Sequence, residues 1–233
     1  QTAMIYANSH VGLCYWPTKH GEMHRGLHGE DFLGKMIQRC HEENLAVVVY
    51  FSLIFDNWAY KNHPSWRIVN EFGMHSRDKS ENAIFAGNKR YGVCCPNNKD
   101  YREYVMKQLQ ELCTTYDFEG MFLDMTYWPA ICYCSACKDR YEKEIGGEMP
   151  RIVNWSDPKW VEFQRKREEW IVEFAHFATD CVKQVNPKIT IEHQYSTALS
   201  GWKAGVTEDL TYASDYAGGD LYGGFTQQSF ACK

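Results

Sequence analysis

Short apolar runs that end in polar, chemistry-bearing residues recur along this chain, each separated from the next by a helical period. The repetition restricts the fold more than any other feature. Residues 2–6 lead to Asn8, Ser9 and His10, and the β-branched run 45–53 leads to Asp56 and Asn57. Residues 120–123 deliver Asp124, residues 188–191 deliver Glu192, His193 and Gln194, and residues 212–216 end near Asp215 and the glycine-rich Gly218, Gly219, Asp220. Between them, residues 30–44 place Phe32, Leu33, Met36, Ile37 and Cys40 on one helical face. A second helix starts at Asn97 or Asn98 and buries Tyr101, Val105, Leu109, Leu112 and Tyr116. A third starts at Asp157-Pro158 and runs to about residue 185.

Alternating strands and helices predict one α/β domain, residues 1–233, built on a parallel sheet. Polar residues gathered at the carboxyl ends of the strands predict a (β/α)8-type TIM barrel, the fold that most consistently builds its sites there. Five strands are expected, whereas a closed barrel needs eight and roughly 250 residues, so the chain is expected to hold only part of one.

With 25 basic and 30 acidic side chains in 233 residues the formal charge is −5, and no basic cluster offsets it, which argues against a nucleic-acid partner. The 44% hydrophobic content is enough for a core, yet no apolar run reaches the roughly 18 residues of a membrane span. Unpaired edge strands favour a homo-oligomer or further covering elements. The compartment stays open, with reduced or metal-bound cysteines leaning towards the cytoplasm.

Glycoside hydrolysis needs two carboxyl groups facing each other across a sugar. Asp124 is the first candidate, because Tyr127 and Trp128 follow it with faces on which a sugar can stack; a helix cap or loop acid is the plain alternative. Glu192 and Asp215 compete for the second carboxyl. His10, Trp16, Asp56, Trp128 and His193 are candidates for holding the sugar, His10 as a hydrogen-bond donor to hydroxyls. Asp56 serves equally well in a loop turn. No catalytic cofactor is expected.

Ten cysteines are present, and Cys14, Cys40, Cys113, Cys181 and Cys232 stand alone among apolar neighbours as buried thiols. Cys132-x-Cys134-x2-Cys137 instead offers three thiolates on one short loop, and Cys95 or its neighbour Cys94 can supply a fourth. Four cysteines would make a closed, structural zinc site. Reduced thiols or a disulfide are the alternatives.

Residues 2–19 resemble the second barrel strand of the alpha-L-fucosidase family, whose Lys-His-His-Asp-Gly-Phe segment leads to a Trp. Here Asn8, Ser9, His10, Val11, Gly12, Leu13 and Trp16 take those places, with the second histidine and the glycine matched. Residues 119–124 are similar to that family's fourth strand, which implies Asp124 as the nucleophile. Cys95-Pro96 and Cys132-Tyr133-Cys134-Ser135-Ala136-Cys137 resemble the zinc-containing beta-galactosidases, although Leu123-Asp124 stands where they carry Asn-Glu. The whole chain looks like a group of hypothetical glycoside hydrolases, fucosidase-like barrels carrying the cysteine loop, with Pro17, His63-Pro64-x-Trp66 and Asp215-Tyr216-x-Gly218-Gly219-Asp220 among its features. That resemblance implies strands two to six of the barrel and a retaining, exo-acting alpha-L-fucosidase-like hydrolase. A beta-galactosidase-like enzyme with Asp124 as acid/base is the first rival, and a non-catalytic carbohydrate-binding barrel the second.

Overall fold

The computed structural model describes residues 1–194, 201–218 and 224–231. The chain opens with β1 (Thr2–Tyr6), passes through a small parallel pair, β2 (Leu13–Cys14) and β3 (Glu22–Met23), and enters α1 (Phe32–Glu42) and β4 (Ala46–Ser52). A short α2 (Asn57–Asn62) and a long loop precede α3 (Lys99–Thr115) and β5 (Gly120–Asp124). Then come α4 (Ser135–Glu144), α5 (Pro158–Lys183), β6 (Thr190–His193) and α6 (Phe225–Ala231).

The expected helices start where their caps place them. Asp31 accepts from Gly34 N–H, Asn98 rather than Asn97 accepts from Tyr101 N–H, and Asp157 accepts from Lys159 N–H beside Pro158. The four long strands form one parallel sheet in the order β1-β4-β5-β6. Consecutive parallel strands joined through helices are the barrel's repeating unit.

Alternation along the strands divides the sheet into two faces. Val47, Val49, Phe51, Met121, Leu123 and Ile191 are buried, with α1, α3 and α5 supplying Leu33, Ile37, Leu109, Leu112, Phe174 and Ala178 to the same core. The opposite face, which lines the interior of a barrel, carries Tyr6, Tyr50, Phe122 and Glu192 in one register row. Three of these form a ring ladder, with Tyr6–Tyr50 and Tyr50–Phe122 centroids 4.2 and 5.7 Å apart.

Residues 212–216 do not form the expected fifth strand. Glu208–Ala213 is a 3-10 helix that buries Leu210 and Ala213, a three-residue spacing that suits such a helix. The outer edge of β6 is met largely by side chains instead: Asp215 Oδ2 accepts from Ile191 N–H at 2.7 Å and Ser214 Oγ from His193 N–H at 3.0 Å. Among the described residues no helix is long and apolar enough to cross a membrane. Gly219, Asp220 and Cys232 lie outside the described residues.

Candidate active site

Asp124 is the last residue of β5 and pairs in register with Ser52 of β4. Asn8 and Gln194 continue the same alternation just past the ends of the flanking strands β1 and β6, so four polar residues, all buried, cross the carboxyl end of the sheet. The belt is bonded internally: Asn8 Oδ1 accepts from Ser52 N–H at 2.7 Å.

Both oxygens of Asp124 accept hydrogen bonds, Oδ2 from the Tyr50 hydroxyl and Oδ1 from Met125 N–H at 2.8 Å. Donors aimed at a carboxylate favour its ionised form. Met125 reaches that position with φ 65°, a left-handed conformation costly for a non-glycine residue. Ile54, just beyond β4, is similarly strained at φ 62°. Burial and the Asp124 charge push the Tyr50 hydroxyl well above its ordinary value, so it stays a donor.

His10 faces the same carboxylate, its Nε2 3.9 Å from Asp124 Oδ2. Its Nδ1 lies 2.8 Å from Ser52 Oγ, whose hydrogen is given to Phe55 O. Nδ1 must therefore be the donor, and burial together with the charge of Arg90 lowers the imidazole's pKa, favouring the neutral form. Nε2 is left as an acceptor, which reverses the expected donor role towards hydroxyls.

An aromatic cleft of about 470 Å³ opens beside this group, lined by Phe55, Phe85, Tyr91, Met125, Tyr127 and Trp128 and closed at one side by Lys203 and Ala204. That volume suits a small ligand. His10 packs on its wall, with ring centroids 5.8 Å from Phe55 and 5.4 Å from Tyr91. Trp128 contributes to the lining, yet it is buried and its indole N–H is spent on Arg167 O at 2.8 Å.

Glu192 lies on the interior face of β6, opposite Phe122 and two residues short of the Asp124 row. Strand spacing and rise put its Cα about 8 Å from that of Asp124. The Tyr216 hydroxyl bonds it, and a Cβ on Gly218 would come within 1.7 Å of its Oε1, so the chain closes tightly over this carboxyl.

Four expected site residues are placed elsewhere. Asp215 sits at the edge of β6 beside Ile191, ion-paired to Lys183 Nζ at 2.6 Å, and is not brought to Asp124. Trp16 is buried, with its indole N–H on Glu111 Oε2 at 3.0 Å. Asp56 caps α2 through Ala59 N–H and accepts from the Tyr104 hydroxyl at 3.2 Å. Gly12 is needed at that spot, since a Cβ there would come within 1.9 Å of Asp56 Oδ1. Burial raises the Asp56 carboxyl to about 6. His193 points to the helix side, bonded to Thr126 Oγ1 and Thr179 Oγ1, both at 2.9 Å, and burial lowers it to about 3.

Away from the cleft, the sulfurs of Cys95, Cys132, Cys134 and Cys137 all lie within 4.8 Å of one another and are buried. Cys95, not Cys94, completes the set. Tetrahedral zinc with about 2.3 Å bonds spaces sulfurs by about 3.8 Å, so the donor set fits a structural zinc ion. Hydrogen bonds from Cys132, Cys137 and Cys95 pull the Cys134 thiol far below its ordinary value. Asn97 Nδ2 adds a donor to Cys137 Sγ at 3.4 Å. Four protein ligands leave no open position, so the ion's contribution when bound is to tie the loop before α3 to the loop before α4.

Residues 1–125, more than half of the chain, match the family described as Hypothetical glycosyl hydrolase 6. The chain belongs to this family. No curated protein sequence matches it. Several solved glycosidases share its fold. An alpha-L-fucosidase isoenzyme 2 from Paenibacillus thiaminolyticus superposes with a TM-score of 0.68 at 21% identity, over 90% of this chain and 28% of its own. The PgaB (BpsB) glycoside hydrolase domain from Bordetella bronchiseptica gives 0.69 at 10% identity, over 93% and 63%. A beta-galactosidase from the psychrophilic Marinomonas ef1 gives 0.65 at 15% identity, over 94% and 36%. This hypothetical glycosyl hydrolase 6 chain thus has a parallel α/β fold that matches part of the TIM barrel of glycoside hydrolases, and it spans less than two thirds of each of these three structures.

Proposed function

We propose that this protein is a retaining, exo-acting glycosidase with an alpha-L-fucoside as its first substrate class. The observation that carries the reading is the Asp124 carboxylate, held by Tyr50 and Met125 at the end of a central strand beside an aromatic cleft. A nucleophilic carboxylate must stay ionised and exposed to attack geometry, and this one has donors on both oxygens.

In this reading an Asp124 oxygen attacks the anomeric carbon while the glycosidic C–O bond breaks, and Glu192 gives its proton to the leaving oxygen. Glu192 then takes a proton from water, whose oxygen displaces Asp124 and frees the sugar. Sharing an interior face with Asp124 favours Glu192 over Asp215 for this part. His10 Nε2, beside Asp124, accepts from a sugar hydroxyl, and Tyr127 and Tyr91 offer stacking faces in the cleft.

The test is release of nitrophenol from alpha- and beta-aryl glycosides, followed by NMR of the first-formed anomer. Turnover of an alpha-fucoside with retention supports the reading; inversion, or cleavage confined to other sugars, overturns it. The four-cysteine cluster favours a second reading, a beta-galactosidase-like hydrolase with Asp124 as acid/base. Exclusive cleavage of a beta-galactoside would select it.

A further inference from the structure

The aromatic cleft beside Asp124 carries a charge pattern that a neutral sugar leaves unused. Among the described residues no carboxylate lines it, and Lys203 is its one charged lining residue. Arg90 joins it at the wall, with its guanidinium 4.8 Å from the centre of the Tyr91 ring, which is itself 5.4 Å from the His10 ring. The Lys203 ammonium lies 5.8 Å from the centre of the Trp202 ring. Both charged ends thus rest on aromatic rings, and neither makes an ion pair among the described residues. Arg102, Lys107, Arg140, Lys166 and Lys183, by contrast, are each held by a carboxylate.

The backbones of the two residues are tied down although their charged ends are free. Arg90 N–H donates to Asn88 Oδ1 at 3.0 Å and its carbonyl accepts from Asn57 Nδ2 at 3.1 Å, which fastens the 88–91 loop to α2. The Lys203 carbonyl accepts from Nη2 of Arg167, a buried residue of α5. Asp124 does not require either cation, since Tyr50 and Met125 already donate to its two oxygens. After burial, the Arg90 charge is what lowers the pKa of the His10 imidazole, so the field of this cation reaches the site. In a chain of net charge −5, two unpaired cations on pinned segments make the cleft a local attractor for negative charge.

We propose that the sugar bound beside Asp124 carries an anionic substituent, a carboxylate or a sulfate ester, and that Lys203 and Arg90 recognise it. An ammonium and a guanidinium both donate charge-assisted hydrogen bonds to such oxygens. This assignment rests on the cleft being the sugar site, and it narrows the substrate from a neutral fucoside to an acidic glycoside. A sulfated fucoside and a uronide are the two sources of that charge.

Binding to the native protein is measured with free sugars, which cannot be hydrolysed: L-fucose against sulfated L-fucose, and D-glucose against D-glucuronate. An exposed ion pair contributes up to about fivefold in affinity, so at least one acidic sugar should bind about 5- to 25-fold tighter than its neutral counterpart, and the advantage should shrink as salt is raised. Lys203→Gln and Arg90→Gln should each remove part of that preference, and the double variant all of it. Both side chains are exposed, so the variants are expected to fold. Preference for the sulfate alone selects a sulfated fucoside; preference for glucuronate alone selects a uronide. Equal affinity for acidic and neutral sugars, a preference that survives in the double variant, or failure of both acidic sugars to bind would overturn the proposal. So would inorganic sulfate binding as tightly as sulfated fucose, because the cations would then read charge without a sugar. An acidic preference without turnover of any fucoside keeps this inference and removes the fucosidase reading, whereas turnover of a neutral fucoside with no acidic preference does the reverse.

Discussion

Tyr50 donates its phenolic hydrogen to Asp124 across the β4–β5 pair, from the register position of Phe122, two residues below the carboxylate it serves. The bond holds one carboxylate oxygen in a single orientation, so removing it frees the carboxylate to turn. Tyr50→Phe is expected to lower kcat by about 10- to 100-fold with little change in KM. A variant with native kcat would separate Tyr50 from the positioning of Asp124.

Asp124→Asn keeps the shape of the belt and removes the carboxylate proposed as the nucleophile. Turnover should fall by at least about 10³-fold with an unchanged far-ultraviolet spectrum, and in Asp124→Gly, which vacates the carboxylate's space, azide should restore cleavage by forming a glycosyl azide of inverted configuration. A variant retaining a tenth of native activity would exclude Asp124 as nucleophile.

His193 is buried neutral between two threonines, with a folded pKa of about 3 against an ordinary value of 6.5. Between those values the unfolded chain binds the extra proton, so stability is complete above about 6.5 and is lost as pH falls towards 3. The loss attributable to this group is at most about 5 kcal/mol. Denaturant midpoints taken across that window should fall steeply in the native protein and less steeply in His193→Gln.

Asp56 carries structure rather than substrate. Asp56→Ala removes the α2 cap and leaves the Tyr104 hydroxyl without its acceptor, at a cost of about 2 kcal/mol. KM for an aryl glycoside should change less than twofold in the folded variant, while thermal melting shows the loss. A large KM change with an unaltered melting temperature would return Asp56 to the sugar site.

The strand ends were legible because period and chemistry coincide there: β1, β4, β5 and β6 begin and stop within two residues of their apolar runs, and Asp124 terminates its strand as the pattern implies. Tyr50 and Ser52 were missed, although they share the parity that points into the barrel. Reading AVVVYFS as two alternating faces rather than one apolar run would have found them. Trp16 and His193 carry side chains that suit sugars equally well in a core, and only their bonds to Glu111, Thr126 and Thr179 assign them.

By itself the sequence determined what depends on neighbours along the chain: a helix over about 30–44, one starting at Asn97 or Asn98 and one at Asp157, the strand-end placement of Asp124, and three closely spaced thiols waiting for a fourth. Tertiary structure decided what depends on distance between segments. It chose Cys95 over Cys94, put Glu192 on the Asp124 face and Asp215 at the sheet edge, and buried Arg167 against Trp128 and the carbonyl of Lys203. Local propensity acts over a few residues, whereas charge compensation and hydrogen-bond partnership act between side chains up to 95 residues apart, as in Trp16 and Glu111.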